Sequence, residues 1–408
     1  MVISQEPDGR TVFDKFAIRA TPTILFFEPD GSELDWIVGY GAPPEDFQKK
    51  FDNVLQGIGT YKSLAAKVAA DPQNVEANFR LAEKWDDRYN QAKSAELYKQ
   101  VVALDPTGTK GATEYGREKA MVSFTQYAEF NVASSAMSAR PPDAAPFLAF
   151  VKKYPDSAIV KDAYARVSSF YGRQGAKEDA TKFFEDYTKR FSGEAAAYSG
   201  WVARILFDKE PVDKGIELAQ KAISLSQGRA AMAGWQNLGR LYVLKGDKAK
   251  ATDAADKIMG IVNTPPAKGD EVPPMAMGGG PGMGAPGAAQ IYLDAGATEK
   301  ALAVYGPDFA AKNEKSAPTL TRYVQFWAQQ GTNLDSALAA AKKVTELSPT
   351  AYSSYTTLSG VYQKMKNYAE ALKASEKALS LAPAQPAQIK ETIQKSIDAI
   401  KTAAAEKK

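Results

Sequence analysis

The sequence contains neither cysteine nor histidine among its 408 residues. Without cysteine the chain forms no disulfide, no thiolate metal site and no thiol nucleophile. Without histidine it lacks the commonest metal ligand and the commonest general acid or base near neutral pH. These absences remove the usual parts of thiol enzymes, metallohydrolases and Ser-His-Asp hydrolases. We therefore expect no catalytic site, no cofactor and no bound metal.

A strong charge imbalance and long apolar runs are also missing. The net charge is +3, which is too small over 408 residues to give the electrostatic footprint of a nucleic-acid-binding protein. No run approaches the ~18 apolar residues that span a bilayer, and the residues after Met1 do not show the basic and then apolar pattern of a signal peptide. We expect a soluble protein that binds no nucleic acid and does not insert into a membrane. A chain without cysteine is compatible with the cytoplasm and with the periplasm.

The first 58 residues alternate quickly between helix and strand signals. Residues 9–16 predict a short helix, and the apolar run at residues 24–27 predicts a buried strand. Pro29-Asp30-Gly31 predicts a turn, and residues 34–38 then predict the second strand of a hairpin. Pro43 and Pro44 open a further helix. Val2-Ile3 at the start predicts a short strand, so the predicted order is strand, helix, strand, strand, helix.

This stretch resembles the C-terminal half of a thioredoxin-like domain. The family pattern is an aromatic residue, a branched aliphatic residue, Pro-Thr, an apolar strand, a turn and a strand that ends in glycine. Here its positions are Phe16, Ile18, Pro22, Thr23, Asp30, Gly31 and Gly39. The resemblance implies a cis peptide bond at Pro22. It also implies that Thr21 and Pro22 offer backbone to an extended peptide, a form of strand addition.

The resemblance covers only half of such a domain. In that family the two catalytic cysteines lie further upstream of the cis proline than the 21 residues that precede Pro22. The strand that would lie beside Ile24 to Phe27 falls in the same missing half, so we expect an open strand edge. Either the chain is a fragment of a longer gene, or this edge is covered by the rest of the chain or by a second chain.

From residue 61 onward helical signals repeat at a fixed period. The stretch WQNLGRLYVLKG begins at Trp235 and is similar to the tetratricopeptide pattern W-x2-L-G-x2-Y-x3-G. Comparable stretches begin at Leu81, Tyr164 and Tyr355. Small residues at fixed positions let paired antiparallel helices approach closely, and large residues fill the gaps. We expect a mainly α chain: a tetratricopeptide-type α-solenoid preceded by a truncated α/β thioredoxin-like unit.

The predicted domain plan follows from these patterns. Residues 1–58 form the partial thioredoxin-like unit, 59–262 and 289–384 form helical repeats, and 385–408 form a capping helix and tail. Residues 263–288 hold six prolines and seven glycines, which predicts a flexible linker. Met275, Met277 and Met283 of that linker are thioethers of the kind that suits Cu(I), but a plain linker is the favoured interpretation.

The favoured function is a non-catalytic scaffold that binds a peptide or protein on the concave face of the repeats. On the repeat register that face carries Arg173, Gln236, Arg240, Thr356 and Gln363. Two alternatives stay open. The chain is a fragment of a thioredoxin-like thiol-disulfide oxidoreductase whose cysteines lie upstream of Met1, or it is a structural protein that self-associates through the open edge near Ile24 and Phe27.

Overall fold

A computed structural model describes residues 7–39, 44–264, 284–305, 309–383 and 387–406. The chain divides into two compact units, Met1–Lys177 and Glu178–Lys408. Both consist mainly of helices, and the short strands lie in the first unit. The predicted fold class, stacked helix pairs behind a small α/β segment, is therefore confirmed.

From its first helix onward the N-terminal segment has the predicted order of elements, and the strand predicted at Val2-Ile3 lies outside the described residues. Its bounds are α1 Pro7–Lys15, β1 Thr23–Phe27, β2 Glu33–Val38 and α2 Pro44–Leu55. The strands β1 and β2 form an antiparallel hairpin in which Leu25 lies opposite Trp36. The turn closes because the Glu28 N–H donates to the Ser32 carbonyl at 2.8 Å and Gly31 adopts a φ of 82°. A positive φ of this kind favours glycine, as the Asp-Gly signal predicted.

The rest of the first unit is helical with one inserted hairpin. Its elements are α3 Tyr61–Ala70, α4 Val75–Asp87, α5 Gln91–Leu104, β3 Ala112–Tyr115, β4 Ala120–Ser123, α6 Phe124–Ser138, α7 Ala145–Lys153 and α8 Val160–Tyr171. Side-chain caps fix the helix starts, as where Asn74 Oδ1 accepts the Ala77 N–H at 2.9 Å. The hairpin β3–β4 corrects the expectation of helices alone after residue 61. Its strands have four residues each, which is too short for a clear alternation signal.

A buried charged cluster joins the thioredoxin-like hairpin to the repeats of this unit. Asp35 on β2 is fully buried and receives the Lys84 ammonium from α4 in a short ion pair. The guanidinium of Arg88, just after α4, lies 3.8 Å from Asp35 and 2.5 Å from Glu33. It also lies over the Tyr61 ring, 3.9 Å from the centroid. The hairpin is thus held against α3 and α4 by charge and by aromatic stacking.

The second unit is a series of helices. They are α9 Lys177–Arg190, α10 Ala195–Asp208, α11 Val212–Ser224, α12 Met232–Lys245, α13 Lys248–Asn263, α14 Gly284–Asp294, α15 Thr298–Val304, α16 Phe309–Lys312, α17 Ala317–Gln330, α18 Leu334–Leu347, α19 Tyr352–Lys364, α20 Tyr368–Leu381 and α21 Ala387–Ala405, and a 3-10 turn at Gly228–Ala231 precedes α12. Consecutive helices pack as antiparallel pairs, of which α10/α11, α12/α13, α17/α18 and α19/α20 are the clearest.

The small residues of the repeat pattern occupy close approaches between helices. A Cβ added at Gly239 on α12 would lie 2.8 Å from Ile291 Cδ1 on α14 and 3.3 Å from Ala254 Cβ on α13. At the matching position of α19, Ser359 is buried and exchanges a 2.7 Å hydrogen bond with Ser375 on α20. At both positions the small residue of the repeat pattern lies where two helices approach closely, as the pattern predicted.

The last five residues of the predicted linker are helical, and its residues 265–283 lie outside the described residues. Helix α13 ends at Asn263 and α14 begins at Gly284, so residues 284–288 are helical. Pro286 lies in the first turn of α14, where a backbone N–H would have no acceptor within the helix, so no hydrogen bond is lost. The suggested thioether site at Met275, Met277 and Met283 lies outside the described residues. At the other end, Ile393, Ile397 and Ile400 form the buried stripe of α21.

Candidate functional site

A cavity of about 650 Å³ opens in the first unit around helix α4. The end of α2 and the turn that follows it form one side, α3 another, and Tyr127 of α6 closes the far end. Its charged lining comprises Lys50, Lys67, Arg80 and Lys84 together with Glu76, Glu83, Asp86 and Asp87. The cavity is thus concave and is lined by charges of both signs.

The face of α4 that lines the cavity follows helical spacing. Ala77, Arg80, Lys84 and Asp87 stand at i, i+3, i+7 and i+10, so they form one stripe along the helix. Ala77 is buried and leaves room between its longer neighbours. This stripe therefore presents a cation, a second cation and a carboxylate in order along one wall.

Arg80 is held in place by groups from three elements. Its Nη1 donates to Glu83 Oε2 at 2.8 Å and to Thr113 Oγ1 of β3 at 3.4 Å. Its guanidinium also lies 5.3 Å from the centroid of the Phe124 ring at the start of α6. These contacts fix the guanidinium before any partner arrives, which reduces the entropy cost of binding.

Three carboxylates crowd the last turn of α4. Burial raises the pKa of Glu83, although the hydrogen bond from Arg80 opposes that rise. Burial also raises the pKa of Asp86, which accepts a 2.8 Å hydrogen bond from the Tyr98 hydroxyl. Desolvation raises the pKa of Asp87 in the same way, and the charges of Lys84 and Lys50 act against the rise. A helix C-terminus is itself negative, so carboxylates at the end of α4 interact unfavourably with the helix dipole.

A second groove, of about 320 Å³, lies in the second unit between α17 and α19, which are the first helices of neighbouring pairs. Its lining is neutral except for Lys364. The remaining lining residues are Val324, Gln325, Ala328, Gln329, Thr356, Thr357 and Gly360. Small side chains and Gly360 make the groove, and the glutamines supply hydrogen-bond donors and acceptors.

The five residues predicted for the repeat face have different surroundings. Thr356 lines the second groove, whereas Gln363 on the same helix is half-buried and its amide lies 3.3 Å from Ser359 Oγ. Gln236 packs against α14, because a Cβ added at Gly287 would lie 2.6 Å from Gln236 Nε2. Arg240, also on α12, is exposed.

Arg173 does not stand on a helix face. Helix α8 ends at Tyr171 with Gly172 as its C-cap, so Arg173 lies in the following turn, where its N–H donates to the Phe170 carbonyl. The repeat register placed it on the face because the pattern alone does not mark where α8 stops.

The Thr21–Pro22 peptide bond is cis, as the resemblance implied. Both residues are exposed, and the Pro22 carbonyl accepts the Gly39 N–H at 2.8 Å, which extends the hairpin by one pair. The other edge of β1 has no partner strand among the described residues. Ile24 and Phe27 on this strand are 36% and 42% exposed.

No motif in the sequence marks the charged cavity. Its residues come from positions 50–127, and only the packing of α2, α3, α4 and α6 brings them together. The one signal available in the sequence was the spacing of Arg80, Lys84 and Asp87 along a single face of the helix.

Comparisons with known proteins support both parts of the chain. The family described as thioredoxin-like domain matches residues 3–55, and the tetratricopeptide repeat family matches residues 352–385. No curated protein matches the chain. The chain therefore carries a thioredoxin-like segment at its N-terminus followed by a region of tetratricopeptide repeats.

The similar solved structures have low sequence identity to this chain. YrrB, described as a TPR protein with an unusual peptide-binding site, is 17% identical with a TM-score of 0.28, over 52% of this chain and 97% of that one. Yeast Tom70 is 15% identical with a TM-score of 0.49, over 82% of this chain and 65% of that one. The Cut9–Hcn1 assembly of the APC/C gives 12% identity and a TM-score of 0.34, over 84% of this chain and 59% of that one.

Two further findings bear on function. The chain has no cysteine, so it contains no Cys-x-x-Cys pair with which to exchange disulfides. Within the part of the chain that the structure describes, no helix is both long enough and apolar enough to cross a bilayer.

Proposed function

We propose that this chain is a non-catalytic scaffold that binds a peptide or protein partner on the first helices of its repeats. The observation that carries the proposal is the cavity around α4, where a prearranged Arg80 and three crowded carboxylates face a space of about 650 Å³. Repeat proteins offer surfaces of this kind to extended or helical segments of their partners.

The charges of the cavity favour a partner segment that carries both signs. Lys50 and Lys67 stand on α2 and α3, whereas Glu76 and Asp87 stand at the two ends of α4. A partner segment would pair an acidic side chain with the lysines of α2 and α3 and a basic side chain with the carboxylate at the end of α4. Such complementarity contributes more to specificity and association rate than to raw affinity.

A peptide-selection experiment tests the proposal. A random peptide library displayed on phage is selected against the purified full chain, and enriched peptides are synthesised and titrated by fluorescence anisotropy. We expect enriched peptides to carry both charge signs. Asp87→Lys should weaken their binding by about ten-fold or more, since like charges across an interface cost several kcal/mol.

Lys99→Glu serves as the matched control, because Lys99 is exposed on α5 and does not line the cavity. Binding that is unaffected by Asp87→Lys, or affected equally by Lys99→Glu, would place the partner elsewhere and overturn the proposal.

A second candidate function is self-association through the open edge of β1. One observation favours it: among the residues that the structure describes, β1 pairs with β2 alone, and Ile24 and Phe27 on β1 are exposed. An unprotected strand edge readily pairs with another strand. Sedimentation velocity across a dilution series tests this candidate. Self-association through β1 predicts a dimer whose fraction rises with concentration and which Ile24→Lys abolishes. A monomer at every concentration would exclude this candidate function.

A further inference from the structure

Another groove of the second unit is formed by helices α11, α12 and α13. It has a volume of about 440 Å³ and is bounded by α11 and α13, the second helices of neighbouring pairs, with α12 as its floor. The groove therefore shares no helix with the cavity around α4 or with the groove between α17 and α19.

The floor of this groove is apolar. Trp235, Leu238 and Tyr242 recur at i, i+3 and i+7 on α12, so they share one face over about 10 Å of helix. Ile223 extends the floor from the end of α11, and it packs so closely on α12 that a Cβ at Gly234 would lie 2.7 Å from it. Leu238 and Tyr242 are buried, whereas Trp235 is only half-buried and keeps part of its ring open to the groove.

The rim of the groove carries a lysine at each end. Lys250 and Lys257 stand at i and i+7 on α13, on the same face as Asp253 and Ala254. Because α12 and α13 are joined by a two-residue turn and run antiparallel, Lys250 lies at the Tyr242 end and Lys257 at the Trp235 end. The Lys250 ammonium is 5.6 Å from the centroid of the Tyr242 ring, in agreement with this placement.

The two lysines differ in what already binds them. Lys250 pairs with Asp247, the N-cap of α13, at 3.1 Å. Lys257 is exposed and takes part in no ion pair among the residues that the structure describes. The carboxylate of Asp253, midway between them, opposes a negative group at the centre of the groove but not at its ends.

From this arrangement we propose that the groove binds an acidic amphipathic helix of a partner protein. The partner places an apolar stripe at i, i+3 and i+7 on the Trp235, Leu238 and Tyr242 floor. Its carboxylates, one turn beyond each end of the stripe, meet Lys250 and Lys257. The recognition mode is a helix in a hydrophobic groove with charges at its ends to set its position.

A designed peptide tests the proposal directly. The probe is a synthetic amphipathic helical peptide with leucine at i, i+3 and i+7 and glutamate at both ends, labelled with fluorescein. Its anisotropy is followed as the full chain is added. We expect saturable binding that Lys257→Glu weakens by about ten-fold or more. The same peptide with lysine at both ends should bind the wild type more weakly and gain affinity for Lys257→Glu.

Lys221→Glu is the matched control, since Lys221 is an exposed lysine of α11 that does not line the groove. Circular dichroism checks that each variant keeps its helical content. Asp87→Lys, in the cavity of the first unit, should leave this binding unchanged, so failure of the proposed function and failure of this groove are distinguishable.

Three outcomes would overturn the proposal. The glutamate peptide fails to bind the wild type, or it binds Lys257→Glu as tightly as the wild type. The third outcome is that Lys257→Glu changes the sedimentation coefficient of the chain without peptide but leaves peptide binding unchanged. The groove would then be occupied by a second copy of the chain.

Discussion

Replacing Arg88 by methionine should strongly destabilise the first unit. Arg88 is 7% exposed and supplies a cation to Glu33 and to the fully buried Asp35. Methionine keeps a similar unbranched stem but removes the charge. The two carboxylates then keep only Lys84, which is paired with Asp35, as a compensating cation.

The size of the effect follows from burial. Removing one partner of a buried ion pair costs about 3–5 kcal/mol, because the remaining charge stays desolvated. Loss of the stacking of Arg88 on Tyr61, at 3.9 Å from the ring centroid, adds to this cost. We therefore expect Arg88→Met to lower the free energy of unfolding of this unit by about 3–5 kcal/mol.

Urea unfolding followed by tryptophan fluorescence measures this loss. Trp36 and Trp85 report on the cluster, because the Arg88 guanidinium lies 4.8 Å and 5.2 Å from the centroids of their rings. Lys99→Met is the control, as it removes an exposed cation on α5, and it should change stability by less than about 0.5 kcal/mol. A loss below about 1 kcal/mol for Arg88→Met would refute the argument that this cluster holds the hairpin to the repeats.

Three further predictions concern packing, pH and catalysis. Gly239→Val should lower the free energy of unfolding by about 1–3 kcal/mol, since a Cβ at this position would lie 2.8 Å from Ile291. Gly260→Ala has open space around it and should raise the stability of α13 by about 1 kcal/mol. Thermal unfolding of the two variants measures both changes. Burial acts to raise the pKa of Asp105, but the backbone N–H groups of Lys110 and Thr109 lower it overall. Its stabilising contribution should therefore be complete above the pKa of the unfolded carboxyl and be lost as pH falls through the lower folded pKa, and Asp105→Ala should remove that acid-side dependence in urea titrations. The purified chain should reduce no insulin disulfide above the rate of dithiothreitol alone, and turnover would contradict the non-catalytic assignment.

The elements that short-range chemistry determines were predictable from the sequence. The hairpin β1–β2 was marked by an apolar run and an Asp-Gly turn, and the turn at Gly31 has the positive φ that this signal requires. The helix pairs were marked by spacing, because a residue such as Gly239 is small for a local steric reason that recurs in each repeat.

The features that were missed leave no periodic signal in the sequence. The hairpin β3–β4 is held where Gly111 lies against Phe124, so closely that a Cβ on Gly111 would be 2.3 Å from the ring. The cavity brings Lys50 of α2 and Tyr127 of α6 to one space, and no periodicity relates such positions. The predicted roles of Thr21, Pro22 and the repeat-face residues remain predictions, since they require a partner to be tested.

The scaffold account is tested most directly by locating a bound peptide. Because the chain has no cysteine, Lys67→Cys provides one thiol on the cavity wall, to which a benzophenone crosslinker is attached. A peptide selected on the unmodified chain should crosslink to this position on irradiation, with much lower yield from Lys99→Cys on α5. Equal yields from the two positions, or none from Lys67→Cys, would contradict the claim that the cavity around α4 is where this protein receives its partner.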